Sequence, residues 1–210
     1  MTFKILDCDQ GSLEWFNLRL GKPTASIFSK ITTPTGKLST SSEEIINRAV
    51  AELLVGTPDD TFTSNAMNRG NELESEAFDY FNYVYDMDFE TCGFASAINE
   101  DESELGFGCS PDGIDLNKKV GLEMKCPLLH NHLAYLSDGK LPKQYIMQVQ
   151  GSMMVTGFKS WWFGSYHPGI KDLFIEVKRD EELIKKLREH VLYCVREINI
   201  RHEKLVNIGI

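Results

Sequence analysis

The sequence predicts a mixed α/β fold, a central β-sheet flanked by helices, in one domain spanning residues 1–210. Two observations carry this. Segments with apolar residues at every third or fourth position alternate with short runs of β-branched, aromatic and small residues bounded by turn formers. Their order is helices, a mostly antiparallel meander, a helix, further strands and a closing helix, with no repeat, low-complexity tract or Pro/Gly/Ser-rich linker.

The elements follow in chain order. "GSLEWFNLRLG" reads as a helix with Ser12 as N-cap and Gly21 as its stop. "TASIFSKI" opens a second short helix at Thr24, and "TTPTGKLSTS" is a loop. Ser41 with Glu44 forms a capping box ahead of "EIINRAVAELLVG", which ends at Gly56. After the loop "TPDDTFTSN", a long helix runs from about Ala66 to Asp86, with Leu73, Ala77, Phe78, Phe81 and Tyr85 on one face. "DFETCGFASAI", "LGFGCS" and "VGLEMKC" are strands, joined by hairpin turns at "NEDES" and "DLNKK". A short helix near "LLHNHLAYL" and a longer one over "PKQYIMQVQGSMMVTG" precede the strands "SWWFGSYH" and "DLFIEVK". The closing helix carries Leu183, Ile184, Leu187, Val191, Val195 and Ile198 as its apolar stripe.

Composition is globular, at 42% hydrophobic and 25% charged residues. The apolar runs are far shorter than a membrane span, and "MTFKILDCDQ" lacks the apolar centre of a signal peptide, so a cytoplasmic location is expected. Five cysteines at wide spacings, without a CxxC pair, argue against a zinc ribbon or a disulfide framework; all five read as small buried apolar residues. A net charge of −9 argues against a simple duplex binder, although binding follows the local field and a carboxylate metal site itself adds acid.

The stretch "GCSPDGIDLNKKVGLEMKCP", Gly108 to Pro127, carries the chemistry. Residues two apart on a strand share a face, so Glu123 and Lys125 point one way while Leu122, Met124 and Cys126 point into the core. A hairpin of this length brings Asp112 beside Glu123. Two carboxylates about 4 Å apart repel by roughly 4 kcal/mol at an effective dielectric of about 20. One must then take up a proton unless a cation intervenes, and hard oxygen ligands suit magnesium or manganese. Lys125 beside them can hold a water or stabilise charge on a phosphate. Taken singly, "PDG" is a common turn and Glu-x-Lys a common solvated pair; in combination they are specific. Separately, "NLRLGKPTAS" makes an anion pocket. Arg19 can grip a phosphate through two hydrogen bonds, Thr24 or Ser26 can donate hydroxyls, and the helix that follows begins with free N–H groups.

Asp112, Glu123 and Lys125 in this arrangement resemble the PD-(D/E)XK nuclease superfamily. "WFNLRLGKPTAS", "SPDG", "LEMKCP" and "QVQ" resemble, in order and spacing, the alkaline exonuclease family typified by lambda exonuclease, which includes the YqaJ-like phage recombinases. The resemblance extends from about Gly11 to Tyr166. It implies a restriction-endonuclease-like core and a magnesium-dependent 5′→3′ exonuclease working by two-metal hydrolysis, with manganese as a possible substitute. The substrate would be linear double-stranded DNA, and the products a 3′ overhang and 5′-mononucleotides. It also implies a ring-shaped homotrimer, a single-strand annealing protein as partner and a bacterial host cell.

The same resemblance assigns residues. Asp112, Glu123, the main-chain carbonyl of Met124 and Glu74 on the long helix would hold metal, and Lys125 would be the catalytic lysine. Gln148 would orient the attacking water or touch the scissile phosphate. Gln150 turns away by about 200°. Tyr145, one turn before Gln148, would line the site, and Gly151 and Gly157 would allow close helix packing. Arg19, Ser26 and Ser110 would bind the 5′-phosphate, and Met67 falls at the family's strand-separating wedge. The family's basic DNA-contacting loop corresponds here to "TTPTGKLSTS", with only Lys30 and Lys37 nearby. Trp161, Trp162 and Phe163 read as buried strand rather than a platform for bases. Two other readings remain open: an endonuclease or repair nuclease of the same superfamily, and a non-catalytic DNA-binding recombination mediator.

Overall fold

The computed structural model describes residues 2–58 and 65–210, with side chains described for 2–58 and 73–210. Its strands form two sheets. In the first, β1 (Thr2–Leu6), β2 (Phe94–Ile98) and β3 (Glu104–Cys109) pair antiparallel in the order β1-β2-β3. In the second, β4 (Gly113–Asp115), β5 (Val120–Lys125), β6 (Ser160–Ser165) and β7 (Leu173–Lys178) pair in sequence order. The β5–β6 pair is parallel and its neighbours antiparallel. A parallel pair needs a crossover, supplied by α4 (Leu129–Asp138) and α5 (Ile146–Thr156) with a 3₁₀ turn at Lys143–Tyr145 between them.

Two expectations about the sheet change. The N-terminal strand β1 was not foreseen: five residues before an acidic turn carry too short a period to be read, and pairing with β2 defines it. The expected meander is also divided, because the Ser110–Asp112 turn separates β3 from β4 and places them in different sheets.

The helices α1 (Leu13–Arg19), α2 (Ser42–Val55), α3 (Asn65–Val84) and α6 (Glu181–Asn207) fall where the periodicity put them. Ser12 caps α1 by accepting the Trp15 N–H, and Gly21 beyond it takes the left-handed conformation. The segment at Thr24 is a 3₁₀ turn over Ala25–Lys30. The Ser41–Glu44 capping box does not form. Ser41 already has helical angles (φ −78°, ψ −5°), so its hydroxyl caps nothing; instead Ser42 Oγ donates to Ser39 O at 2.8 Å.

The apolar stripe of α6 buries Ile184, Leu187, Val191, Cys194 and Ile198 in a core shared with α2, α5 and the first sheet. A second core joins Ala77 and Phe81 of α3 to Leu122, Met124 and Cys126 at β5. Trp161 and Phe163 are fully buried and Trp162 stacks on Phe174, as a strand buried on both faces requires. Four of the five cysteines are buried, whereas Cys8 is only half-buried, against expectation.

Helix α5 packs against the Ala25–Lys30 turn through Gly151, where a Cβ would lie 2.3 Å from Phe28 Cδ2. Gly157 has a different role: at φ +75° with open space around it, it terminates the helix. Helix propensity alone favours Ala over Gly by about 1 kcal/mol. At Gly151 the clash with a fully buried ring opposes that gain, and overpacking costs about 1–3 kcal/mol. Gly151→Ala is therefore expected to lower the urea midpoint, whereas Gly151 as a mere helix weakness would raise it.

Candidate active site

Strand β5 is the platform. Its Leu122 and Met124 face the second core, so the alternate residues Glu123 and Lys125 face the other way. Glu123 is 1% exposed, and Lys125 Nζ lies 2.5 Å from its Oε1. The parallel neighbour β6 sets Phe163 beside Glu123, and α5 returns over this face. Gln148 of α5 donates from Nε2 to Glu123 Oε1 at 2.7 Å. Gln150 points away, binding Lys178 O and the Asp180 N–H. Tyr145 stands in the preceding 3₁₀ turn with its ring 5.7 Å from Lys125 Nζ.

Asp112 enters from the turn ahead of β4. Its N–H donates to Leu122 O at 3.1 Å, and its Oδ2 accepts the Met124 N–H at 2.7 Å. The turn acid thus lies across from Glu123, and the main chain of Met124 sits at the site. Glu74 is exposed as a residue of α3, yet its carboxyl is pushed upward by desolvation and then by the charge of Asp112, with Lys125 opposing. It contributes to the field of the site from the rim.

Electrostatics follow from the geometry. Burial pushes Glu123 up to about 7, with the charges of Asp112 and Glu74 adding and Lys125 opposing. Burial also raises Asp112, against Lys125 and the Met124 hydrogen bond. For Lys125, burial acts downward, but the charges of Glu123 and Asp112 outweigh it and the ammonium is held well above its usual range. Among the described residues, the site therefore has more carboxylate than its one lysine offsets.

One wall of the same cavity, about 190 Å³ in volume, is lined by Arg19, Ser26 and Ser110, the residues expected to form an anion pocket. Arg19 donates to Ser110 Oγ at 2.9 Å and to Thr24 Oγ1 at 3.2 Å, and its guanidinium lies 4.0 Å from the centre of the Trp15 ring. Thr24 and Ser26 hydroxyls are 3.1 Å apart. Among the described residues no carboxylate comes within ion-pair distance of Arg19, and burial pushes its guanidinium down to about 10.

The structure thus brings Asp112, Glu123, Lys125 and Gln148 together with Arg19, Ser26 and Ser110 around one cavity, with Thr24 behind Arg19 and Tyr145 beside Lys125. Met67 lies outside the residues whose side chains are described. Among the described residues, no three acidic, histidine or cysteine side chains close into a ready metal cage: Glu74 stays outside the cavity lining, and Glu123 is engaged by Lys125 and Gln148. Gln10, Trp15 and Ser152 also line the cavity and were not picked out from the sequence. For Trp15 a signal was available, since it lies one helical turn before Arg19. Gln10 gave none, because its partners are distant in the chain.

This frame, with an acid on a turn and Glu-x-Lys on a sheet strand, is the PD-(D/E)XK nuclease fold. A model of the YqaJ-like viral recombinase domain matches residues 14–159, and the chain belongs to that family. An alkaline exonuclease of Laribacter hongkongensis, solved alone and in complex with dAMP, superposes with a TM-score of 0.81 at 28% identity, over 94% of this chain and 98% of that one. A phage-related exonuclease of Haemophilus somnus shares the fold, with a TM-score of 0.68 at 17% identity over 88% of this chain and 96% of that one. No curated protein matches in sequence.

The raised Glu123 carboxyl sets a pH dependence. Its folded value, about 7, lies above its ordinary 4.5, so between these the folded chain binds more protons than the unfolded one and stability falls as pH rises. In chelator, the melting temperature is expected to drop across this window, by the equivalent of on the order of 1–3 kcal/mol. Glu123→Gln, which keeps the shape and an acceptor, should flatten the drop. An unchanged slope in the variant would place the titration elsewhere.

Proposed function

We propose that this chain is a divalent-cation-dependent exonuclease that degrades one strand of linear duplex DNA from its 5′ end, leaving a 3′ single-stranded overhang for recombination by strand annealing. The observation that carries this reading is the shared cavity: Asp112, Glu123 and Lys125 on one side, and on the other a half-buried arginine with hydroxyl partners and, among the described residues, no carboxylate partner. Membership of the viral recombinase family and the likeness to an alkaline exonuclease support it.

The donor set fits a hard cation, because desolvation pushes the carboxyls of buried Glu123 and half-buried Asp112 upward and, among the described residues, a single lysine faces them. Magnesium or manganese held by Asp112, Glu123, the main-chain carbonyl of Met124 and Glu74 would acidify a water and neutralise the departing oxygen of the phosphodiester. Lys125 keeps its proton and offers a fixed positive charge to the phosphate or the attacking water. Gln148, anchored through its Nε2 on Glu123, can accept from a water through its other amide atom. Arg19 can turn its planar fork from neutral hydroxyls to a terminal phosphate, the stronger, charge-assisted partner.

The test is digestion of a linear duplex labelled at either end, with and without a 5′-phosphate, beside a covalently closed circle, in magnesium. Loss of label from the 5′ end with the circle left intact is the expected result; cleavage of the circle would identify an endonuclease. Lys125→Ala should lose magnesium-dependent cleavage by at least about 100-fold while still binding duplex in calcium. Arg19→Ala should lose the preference for a 5′-phosphate. Normal cleavage by Lys125→Ala would remove the site assignment and reopen the mediator reading.

We also propose, from the family resemblance, a homotrimeric ring around DNA and a single-strand annealing protein as partner. A ring lets a chain with a net charge of −9 stay on its substrate by topology instead of by global attraction. Sedimentation should return three times the 23.9 kDa subunit mass, and a one-subunit mass rejects the ring. Among the described residues, no helix is long and apolar enough to cross a membrane.

A further inference from the structure

Gln10 lies in the short connection between β1 and α1, and its side-chain amide crosses to two distant main-chain carbonyls. Nε2 donates to Cys92 O at 2.7 Å and to Pro111 O at 2.8 Å. The amide orientation is fixed by chemistry: two carbonyl oxygens can be faced only by the NH₂ end, whose two protons are then both used. Pro111 immediately precedes Asp112, and proline has no N–H of its own, so the Ser110–Asp112 turn has few main-chain donors with which to anchor itself.

The same turn is gripped at its other end from α1. Trp15 Nε1 and Arg19 Nη1 both donate to Ser110 Oγ, each at 2.9 Å. Three side chains within ten residues of one another thus clamp Ser110 and Pro111 from one side. From the other, Asp112 is tied to β5 through Leu122 O and the Met124 N–H. Gln10 also lines the cavity with Asp112 and Glu123.

We infer that Gln10 is a positioning residue for the nuclease reaction: by holding the Pro111 carbonyl it fixes the turn that aims Asp112 at Glu123. This rests on the nuclease reading above. Gln10 touches neither reacting atoms nor a metal ligand side chain, and it acts through the main chain one residue before the acid. Outer-shell partners of this kind are worth about 10–100-fold in metal affinity or activity. A misplacement of about 1 Å in a catalytic group costs about 100-fold in rate.

Three variants separate this from a merely structural tie. Gln10→Glu keeps size and shape but sets a carboxylate against two carbonyl oxygens, Gln10→Ala removes the bridge, and Gln10→Lys restores donors on a longer stem. For Gln10→Ala and Gln10→Glu, kcat on 5′-phosphorylated linear duplex should fall about 10–100-fold with KM unchanged. The dissociation constant for Mn²⁺, titrated on the protein alone, should rise about 10-fold. Gln10→Lys should recover much of both. Melting temperatures compared with Gly151→Ala, a destabilised chain whose substitution lies outside the cavity lining, separate fold loss from mispositioning: that variant should keep kcat. If the wild type cleaves and binds Mn²⁺ and the Gln10 variants match it in both, the positioning role is wrong and the nuclease reading stands. If the wild type neither cleaves nor binds Mn²⁺, both fall together.

Discussion

The arrangement turns on a buried carboxylate beside an ammonium on one strand, Glu123 and Lys125 of β5. A strand has two faces, and here one packs into the core and the other lines the cavity. Leu122, Met124 and Cys126 commit β5 to packing beneath α3, which leaves Glu123 and Lys125 no choice of direction. A one-residue slip in register would exchange the faces, setting the acid into the core and Met124 into the cavity. Pairing with β6 over all six residues of β5 guards against that slip, and the crossover through α4 and α5 brings Gln148 back over Glu123. The fold can thus be seen as the scaffold that keeps this pair in register.

Burying Glu123 costs stability, and the structure offsets that cost only in part. Lys125 and Gln148 both serve Glu123 Oε1, and Asp112 opposite is itself pushed upward by burial. A stability-optimised sheet would carry Val or Ile at such positions. Retaining two carboxyl groups that both resist ionisation leaves a site whose missing component is positive charge, which the proposed divalent cation would supply. Local frustration of this kind concentrates where chemistry is done, and the surrounding core, with Phe28, Phe81, Phe107 and Phe163 fully buried, supplies the compensating stability.

Much of this was legible in the sequence, for reasons specific to each element. The period of two in "LEMKC" fixed which side chains share a face, and the long stripes of α3 and α6 announced themselves by their 3.6-residue period. Gly21 and Gly56 marked helix ends, as their positive φ values show. What escaped depended on distance along the chain. β1 is a strand because β2 lies beside it 90-odd residues on, and Ser41 fails as a cap because the preceding turn already places it in helical conformation. Gln10 resembles any polar loop residue until Cys92 and Pro111 are brought to it. Sequence patterns report local conformation and burial; they do not report which distant carbonyl a side-chain amide will meet.

The proposed anion pocket shows why net charge is a poor guide to the partner of this chain. Over 210 residues the balance is −9, yet what a phosphate would meet beside Asp112 and Glu123 is Arg19, stacked on Trp15 and, among the described residues, bonded to the hydroxyls of Ser110 and Thr24. Burial, with no carboxylate partner among the described residues, pushes this guanidinium down to about 10, the mark of a cation held in a place that does not by itself favour charge. An incoming phosphate would supply the missing counter-charge, and with it a bidentate geometry that a surface lysine cannot match. Glu52, the nearest competing acid on α2, is occupied by Arg48 and by the Gly21 N–H. Affinity for a terminal phosphate can therefore be local and directional in a protein whose overall charge repels the rest of the duplex. That contrast is what recognition of an end, in preference to a continuous backbone, requires.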